Sequence, residues 1–202
     1  MRKNTVVGLL VLVVVVLAVG CAKPPQAELD AMKAALQAAE QAEAPKYAAA
    51  DWDKAQQAVN AANAEVEAQN AKFALFRSYT RAKQLIDEAT AAANAAKDAG
   101  VAGKQKAMNE AREAIDAAKA SLTAAQEALA ALEKCRRKPK DLRKDLEAQK
   151  GNLDGFATQV DQLENAFSQE DYFGAKAQAE SLKGQIDNIT SELANAKTKI
   201  KC

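Results

Sequence analysis

The sequence predicts an all-α protein: an elongated antiparallel helical bundle of coiled-coil type, built from two three-helix units. Three observations carry that prediction. Beyond Ala27 alanine dominates, accompanied by Glu, Gln, Lys and Asp, and only Pro45 and Pro139 interrupt the run. Alanine is the strongest helix former and proline the weakest. Apolar residues recur at alternating intervals of three and four, the spacing of seams that bury against partner helices. Finally, AGVAG at 99–103 interrupts the pattern and marks a hinge between units at 27–98 and 104–202. A low aromatic content would by itself suit a disordered chain; the regular seams argue against disorder.

The elements follow in order. Leu29, Met32, Leu36 and Ala39 mark a first helix that stops near Ala44, before Pro45. Asp51 is the candidate N-cap of a second helix carrying Trp52, Ala55, Val59, Ala62 and Val66. A turn is expected near 69–72, with one unbroken helix as the alternative. Phe76, Tyr79, Ala82, Ile86, Ala89 and Ala93 form the third seam. Met108, Ala111, Ile115, Ala118, Leu122, Ala125, Leu129 and Leu132 form the fourth.

Pro139, a residue type favoured at the first helical position, opens a fifth helix. Its seam is Leu142, Leu146, Gln149, Leu153, Phe156, Val160, Leu163 and Phe167. The sixth starts near Tyr172 and carries Ala175, Ala179, Leu182, Ile186, Ile189, Leu193, Ala196 and Ile200. Short connections imply antiparallel neighbours, and helices of about 28 residues span about 40 Å. Alanine seams let backbones approach but bury little area, so apolar burial at roughly 25 cal/mol per Å² makes cohesion modest. Turns beside aromatics, at Phe73/Phe76 and at Phe167/Tyr172/Phe173, suggest a weak internal repeat.

The start of the chain has a different character. Arg2 and Lys3 precede an apolar run from Val6 to Val19 that closes on LAVGC at Cys21. That is the pattern of a secretory signal peptide, residues 1–20, and it is short of the roughly 20 apolar residues a membrane span needs. AVGC resembles the lipobox of bacterial lipoproteins, with Ala18 where that family prefers leucine and Leu17 one place earlier. The resemblance implies that Gly20 precedes the cut and that Cys21 carries the lipid anchor. Several acyl chains hold a protein stably at a membrane where one does so only marginally. Ala22, where aspartate would signal inner-membrane retention in enteric species, implies the periplasmic face of an outer membrane. Residues 21–26 then form a proline-bearing tether.

The segment 43–96 resembles a family of alanine-rich bacterial envelope lipoproteins that carry a small helical domain of unknown function. The matching positions are Ala44, Pro45, Tyr47, Trp52, Ala55, Ala58, Ala82 and Ala89. Asn70 stands where the family has a glycine in the helical turn. The resemblance implies a cell-envelope protein and no particular activity. The pattern is also similar to tetratricopeptide helix pairs, without their full signature.

Charge and composition narrow the function classes. Taking Arg2 and Lys3 from the 28 bases leaves 26 against 27 acids. A near-neutral chain lacks the basic excess of a nucleic-acid binder, so nucleic acid is not an expected partner. The sequence has no histidine, the commonest general base and zinc ligand. It also has no phosphate-binding glycine loop, close cysteine pair or haem attachment motif. No catalytic residue, metal or cofactor is expected, and the chain does not read as an enzyme. Glu110, Arg112, Glu113, Asp116 and Lys119 read as a solvated face with i,i+4 pairs. Trp52 and Tyr47 could form a ligand platform, but core packing beside Ala89 and Ala93 is favoured. Phe73, Phe76 and Tyr79 likewise read as core first and as a partner patch second.

With Cys21 lipidated, Cys135 and Cys202 remain. An exported protein can keep a disulfide, and the fifth and sixth helices run out and back over similar lengths, which returns Cys202 to the level of Cys135. A Cys135–Cys202 bridge is expected, with a free or intermolecular thiol as the alternative. Lys134, Arg136, Arg137, Lys138, Lys140, Arg143 and Lys144 crowd the same corner. Cations at the end of the fourth helix suit its dipole, but those opening the fifth do not. The cluster is therefore either solvated or a contact for an anionic envelope partner. The function expected is that of a lipid-anchored scaffold or adaptor that presents helices to an envelope protein or polymer. The alternative is a periplasmic chaperone or carrier that holds a client along its helices.

Overall fold

A computed structural model describes residues 23–136 and 139–200. Among them there is no strand, and the helices pack against one another as an all-α bundle. The helices are α1 (Gln26–Gln41), the short α2 (Ala44–Tyr47), α3 (Ala49–Asn70), α4 (Thr80–Glu133), α5 (Lys140–Ser168) and α6 (Tyr172–Lys199). A 3₁₀ turn, Ala74–Phe76, lies between α3 and α4. The readings made for residues 1–20, Cys21, Ala22, Arg137, Lys138 and Cys202 fall outside the described residues.

The expected break at 99–103 does not occur. α4 runs for 54 residues through Gly100 and Gly103, and neither glycine has a positive φ. Each costs a helix about 1 kcal/mol relative to alanine, which the alanines around them tolerate. Their role lies in packing. A Cβ on Gly103 would sit 2.3 Å from the Tyr47 carbonyl oxygen, and one on Gly100 would sit 2.8 Å from that of Ala42. The backbone around α2 crosses α4 so closely that only glycine fits there.

The chain divides into two compact units, Met1–Gly103 and Lys104–Cys202. In the N-terminal unit Leu29 and Met32 of α1 pack with Val59, Ala62 and Val66 of α3 and with Tyr79, Ala82 and Ile86. Further along, Ala39, Ala44, Ala55, Ala93 and Ala96 form a second cluster, on which half-buried Trp52 packs. These pairings run α1 parallel to α4 and α3 antiparallel to both, with Lys83 meeting Glu28 at 2.8 Å. α3 and α4 are separate helices.

Several sequence expectations for this unit are corrected. α1 ends at Gln41, and Pro45 sits at the start of α2, after Glu43 in the left-handed region at φ 56°. Asp51 is not a cap. α3 begins two residues before it, and Asp51 lies in the first turn, 3.1 Å from Lys54. Of the aromatics expected in the core, only Tyr79 is buried; Phe73 and Phe76 are exposed.

In the C-terminal unit the 104–133 stretch of α4, α5 and α6 bury the three predicted seams. Ala111, Ile115, Ala118, Leu122, Ala125, Leu129 and Leu132 face inward, with Leu146, Leu153, Val160 and Leu163, and with Ala175, Ala179, Leu182, Ile186 and Leu193. Met108, Leu142, Gln149, Phe156 and Phe167 are only half-buried. Pro139 is the residue before α5, and Lys140 is its first.

α5 ends in a Schellman turn. Asp171 N–H donates to the Ala166 carbonyl and Glu170 N–H to that of Phe167, with Glu170 at φ 61°. The Asp171 carboxylate then accepts from Gly174 N–H to cap α6. The side chain of Gln149 reaches Glu192 at 2.8 Å across the antiparallel α5–α6 pair. α4 and α6 run parallel with a constant offset of 66 residues, joining Lys104 to Glu170 and Glu110 to Lys176.

The face at Glu110, Arg112 and Lys119 was expected to hold local i,i+4 pairs, but its main contacts cross between helices. Arg112 gives two hydrogen bonds to Glu164, at 2.9 and 3.0 Å, and Lys119 bonds the same carboxylate. Arg112 also stacks 4.0 Å over the ring of Phe167, which meets Tyr172 at 5.2 Å. These residues flank the seam, as e and g positions do in coiled coils; of the five, Glu113 and Asp116 are exposed and the others half-buried.

The Lys119 ammonium and then the Arg112 guanidinium hold the Glu164 carboxyl below the usual carboxylate range. Lys176 does the same to Glu110, and Lys183 with Ser121 to Asp187. A carboxylate with a depressed folded pKa contributes stability above its unfolded pKa and loses it as pH falls through the folded one. Thermal stability should hold down to about pH 5 and fall below about pH 4, the unfolded Glu value being about 4.3. Glu164→Gln should cost up to about 1 kcal/mol at neutral pH and flatten that acid fall. Circular-dichroism melts from neutral pH downward check this; parallel curves for the two proteins would refute it.

Candidate functional site

The corner between α4 and α5 concentrates the chemistry that the fold leaves exposed. α4 closes on buried Leu132, and the Cys135 N–H donates to the Leu132 carbonyl at 3.2 Å. Cys135 is buried, with 6% of its surface exposed. Around it Lys134 and Arg136 are exposed, and so are Lys140, Arg143 and Lys144 on the first turns of α5. Among the described residues no ion pair joins any of these five bases to a carboxylate.

Pro139 ends the connection with φ −53° and ψ 153°, an extended backbone from which α5 starts with no side-chain cap. Its carbonyl accepts from Arg143 N–H at 3.2 Å. The first turn of α5 therefore presents its amide groups with two cations, Lys140 and Arg143, and Lys144 follows directly. Asp141 is the acid in that turn, so the net charge there is positive at the positive end of the helix dipole.

Beside this cluster an apolar groove of about 750 Å³ opens between α5 and α6. Pro139, Leu142, Leu146, Leu193, Ala196 and Ile200 supply its apolar lining, and Asp145, Gln149, Glu192 and Lys199 its polar part. An apolar lining next to exposed cations suits a partner carrying both an apolar group and negative charge. The sequence pointed to the cations; the groove was not foreseen, since Leu142, Leu146, Leu193, Ala196 and Ile200 in its lining lie on seams expected to bury against partner helices.

A second surface was assigned mainly to the core by sequence. Phe73, Leu75 and Phe76 stand out at the end of the N-terminal unit, 70%, 67% and 75% exposed. The signal that could have found it is KFALFR itself, three large apolar residues in four between two cations.

Among the described residues no group of three His, Cys, Asp or Glu is placed to hold a metal ion. No helix among them is long and apolar enough to cross a membrane. Comparison with protein families, curated proteins and solved structures finds no match to this chain.

Proposed function

We propose that this chain is a lipid-anchored envelope lipoprotein that serves as a scaffold or adaptor on the periplasmic face of an outer membrane. Cys21 is the lipidated residue, and the corner at 134–144 is the contact for an anionic envelope protein or polymer. The observation that carries this reading is the exposed cation cluster beside an apolar groove. Lys140, Arg143 and Lys144 occupy the N-terminal turns of α5, where positive charge opposes the helix dipole. They gain nothing locally, and a partner supplies the reason for them.

A chaperone that holds clients on alanine-lined faces would need those faces outside. Ala111, Ala118, Ala125, Ala175 and Ala179 are fully buried, which favours the scaffold over this second reading.

The disulfide belongs to the same proposal. The 66-residue offset between α4 and α6, seen at 104/170 and 110/176, supports pairing Cys135 with Cys202. Buried Cys135 suits a staple better than a reactive thiol.

In-cell crosslinking from a photoreactive residue at position 144 tests the corner. One defined envelope partner is expected, and it should be lost from a Lys140→Glu/Arg143→Glu/Lys144→Glu chain. Crosslinks to many unrelated proteins, unchanged by charge reversal, would favour the chaperone. Replacing Cys21 by alanine should release the protein from the membrane fraction.

A further inference from the structure

We infer that the tip of the N-terminal unit, residues 72–77, is a second membrane contact: an interfacial wedge of Phe73, Leu75 and Phe76 that seats in an anionic lipid surface. Two-thirds or more of each of these side chains is exposed. Only two other large apolar side chains among the described residues, Val101 and Phe173, are exposed. A cluster this dense at the end of a helical hairpin is not the scatter of single apolar residues found on any surface.

The tip is built to hold the rings outward. Arg77 donates to the carbonyls of Lys72 and Asn70 at 2.9 and 2.8 Å. Tyr79 donates its hydroxyl to Asn70, and the amide side chain of Gln69 accepts from Ser78 N–H while donating to Glu65. Gln69 is the one buried polar residue among those described. The turn is tied at both ends, and the rings of Phe73 and Phe76 meet at 6.3 Å in a tilted arrangement, outside the core in which Tyr79 is buried.

Charge selects lipid as the occupant. From Ala68 to Ile86 there is no acidic residue, and there are four cations, Lys72, Arg77, Arg81 and Lys83. Lys83 is engaged by Glu28, and exposed Arg81 stands 4.0 Å from Glu88; Lys72 and Arg77 are the cations that flank the rings in sequence. Aromatic and aliphatic side chains at headgroup depth, with Lys and Arg beside them for phosphates, are the composition of interfacial anchors.

Position agrees. Glu28 meets Lys83, and Leu29 packs with Val66 and Tyr79, so α1 starts at the same end as the tip. This step rests on the anchor proposed above. Cys21 is five residues before Gln26, a reach of at most about 18 Å. A lipid on Cys21 therefore brings this end of the unit to the bilayer.

The test uses residues 22–202 without acyl chains, a form that keeps every described core residue, since these run from Leu29 to Leu193. Vesicles of phosphatidylcholine alone and with roughly one-third phosphatidylglycerol are sedimented with the protein. Binding is expected on the anionic vesicles and should weaken in high salt. It should fall at least about tenfold in Phe73→Ser/Phe76→Ser and severalfold in Lys72→Gln/Arg81→Gln, with helicity unchanged in both. Absence of binding, equal binding by the Phe73→Ser/Phe76→Ser chain, or Phe-dependent self-association in place of vesicle binding would overturn the proposal. Mass spectrometry of the membrane-extracted full chain reads the lipid separately. A Cys21 without lipid overturns the anchor, and a soluble form that ignores vesicles overturns the tip.

Discussion

Replacing Gly103 by alanine is expected to destabilise the N-terminal unit by about 2–3 kcal/mol, although alanine is the better helix former. Helix propensity alone predicts a gain of about 1 kcal/mol. The new Cβ, however, would lie 2.3 Å from the Tyr47 carbonyl oxygen and 3.1 Å from the Tyr47 carbonyl carbon and Cβ. The nearest of these is backbone, which no side-chain rotation removes. Either α2 lifts from α4, uncovering Ala44 and the alanine cluster behind it, or α4 bends. The controls are internal. Gly151, Gly155 and Gly184 lie in α5 and α6 with nothing within 4 Å of an added Cβ. Alanine at any of those three should stabilise by about 0.5–1 kcal/mol. Chemical denaturation of the four variants reads the difference in sign; a stabilised Gly103→Ala protein would show that α2 does not pack as described.

Reducing the proposed Cys135–Cys202 bridge is expected to cost the C-terminal unit about 4 kcal/mol. The closed loop runs from 135 to 202 and so spans 67 residues. Opening it frees the unfolded chain while leaving native contacts in place. The effect should be large because the helices it ties are long and their seams are rich in alanine. Ala111, Ala118, Ala125, Ala175 and Ala179 are fully buried, yet each removes little apolar area from water. Cys135→Ser/Cys202→Ser should match the reduced protein, and reductant should not lower its melting temperature further. Thiol titration of oxidised, folded protein gives the decisive reading: two free thiols would end the proposal.

Much of the bundle was legible in the residues. The three-and-four spacing of Ala111 through Leu132, and of Ala175 through Leu193, has one solution, a helix with one buried stripe, and the structure buries that stripe. The basic corner was legible as well, because two helix ends and a proline place it on a turn. The misreadings share a cause. Gly100 and Gly103 read as breakers in the sequence because glycine's common reason to be in a helical pattern is to end it. Phe73 and Phe76 were assigned to the core because aromatic residues usually fill cores. Glu110, Arg112 and Lys119 were assigned to local pairs because their i,i+4 partners are visible in the chain, whereas Lys176 and Glu164 lie about 50 residues or more away.

By itself the sequence determined the helical class, the inward stripes and where the positive charge collects. These depend on propensity and periodicity, which act over a few residues. Tertiary structure alone decided that α4 passes unbroken through two glycines, that Glu164 gathers two cations, that a groove opens beside Pro139, and that three apolar side chains stand outside. Each of those depends on what another helix places within a few ångströms, and packing distance is not written in spacing along a chain.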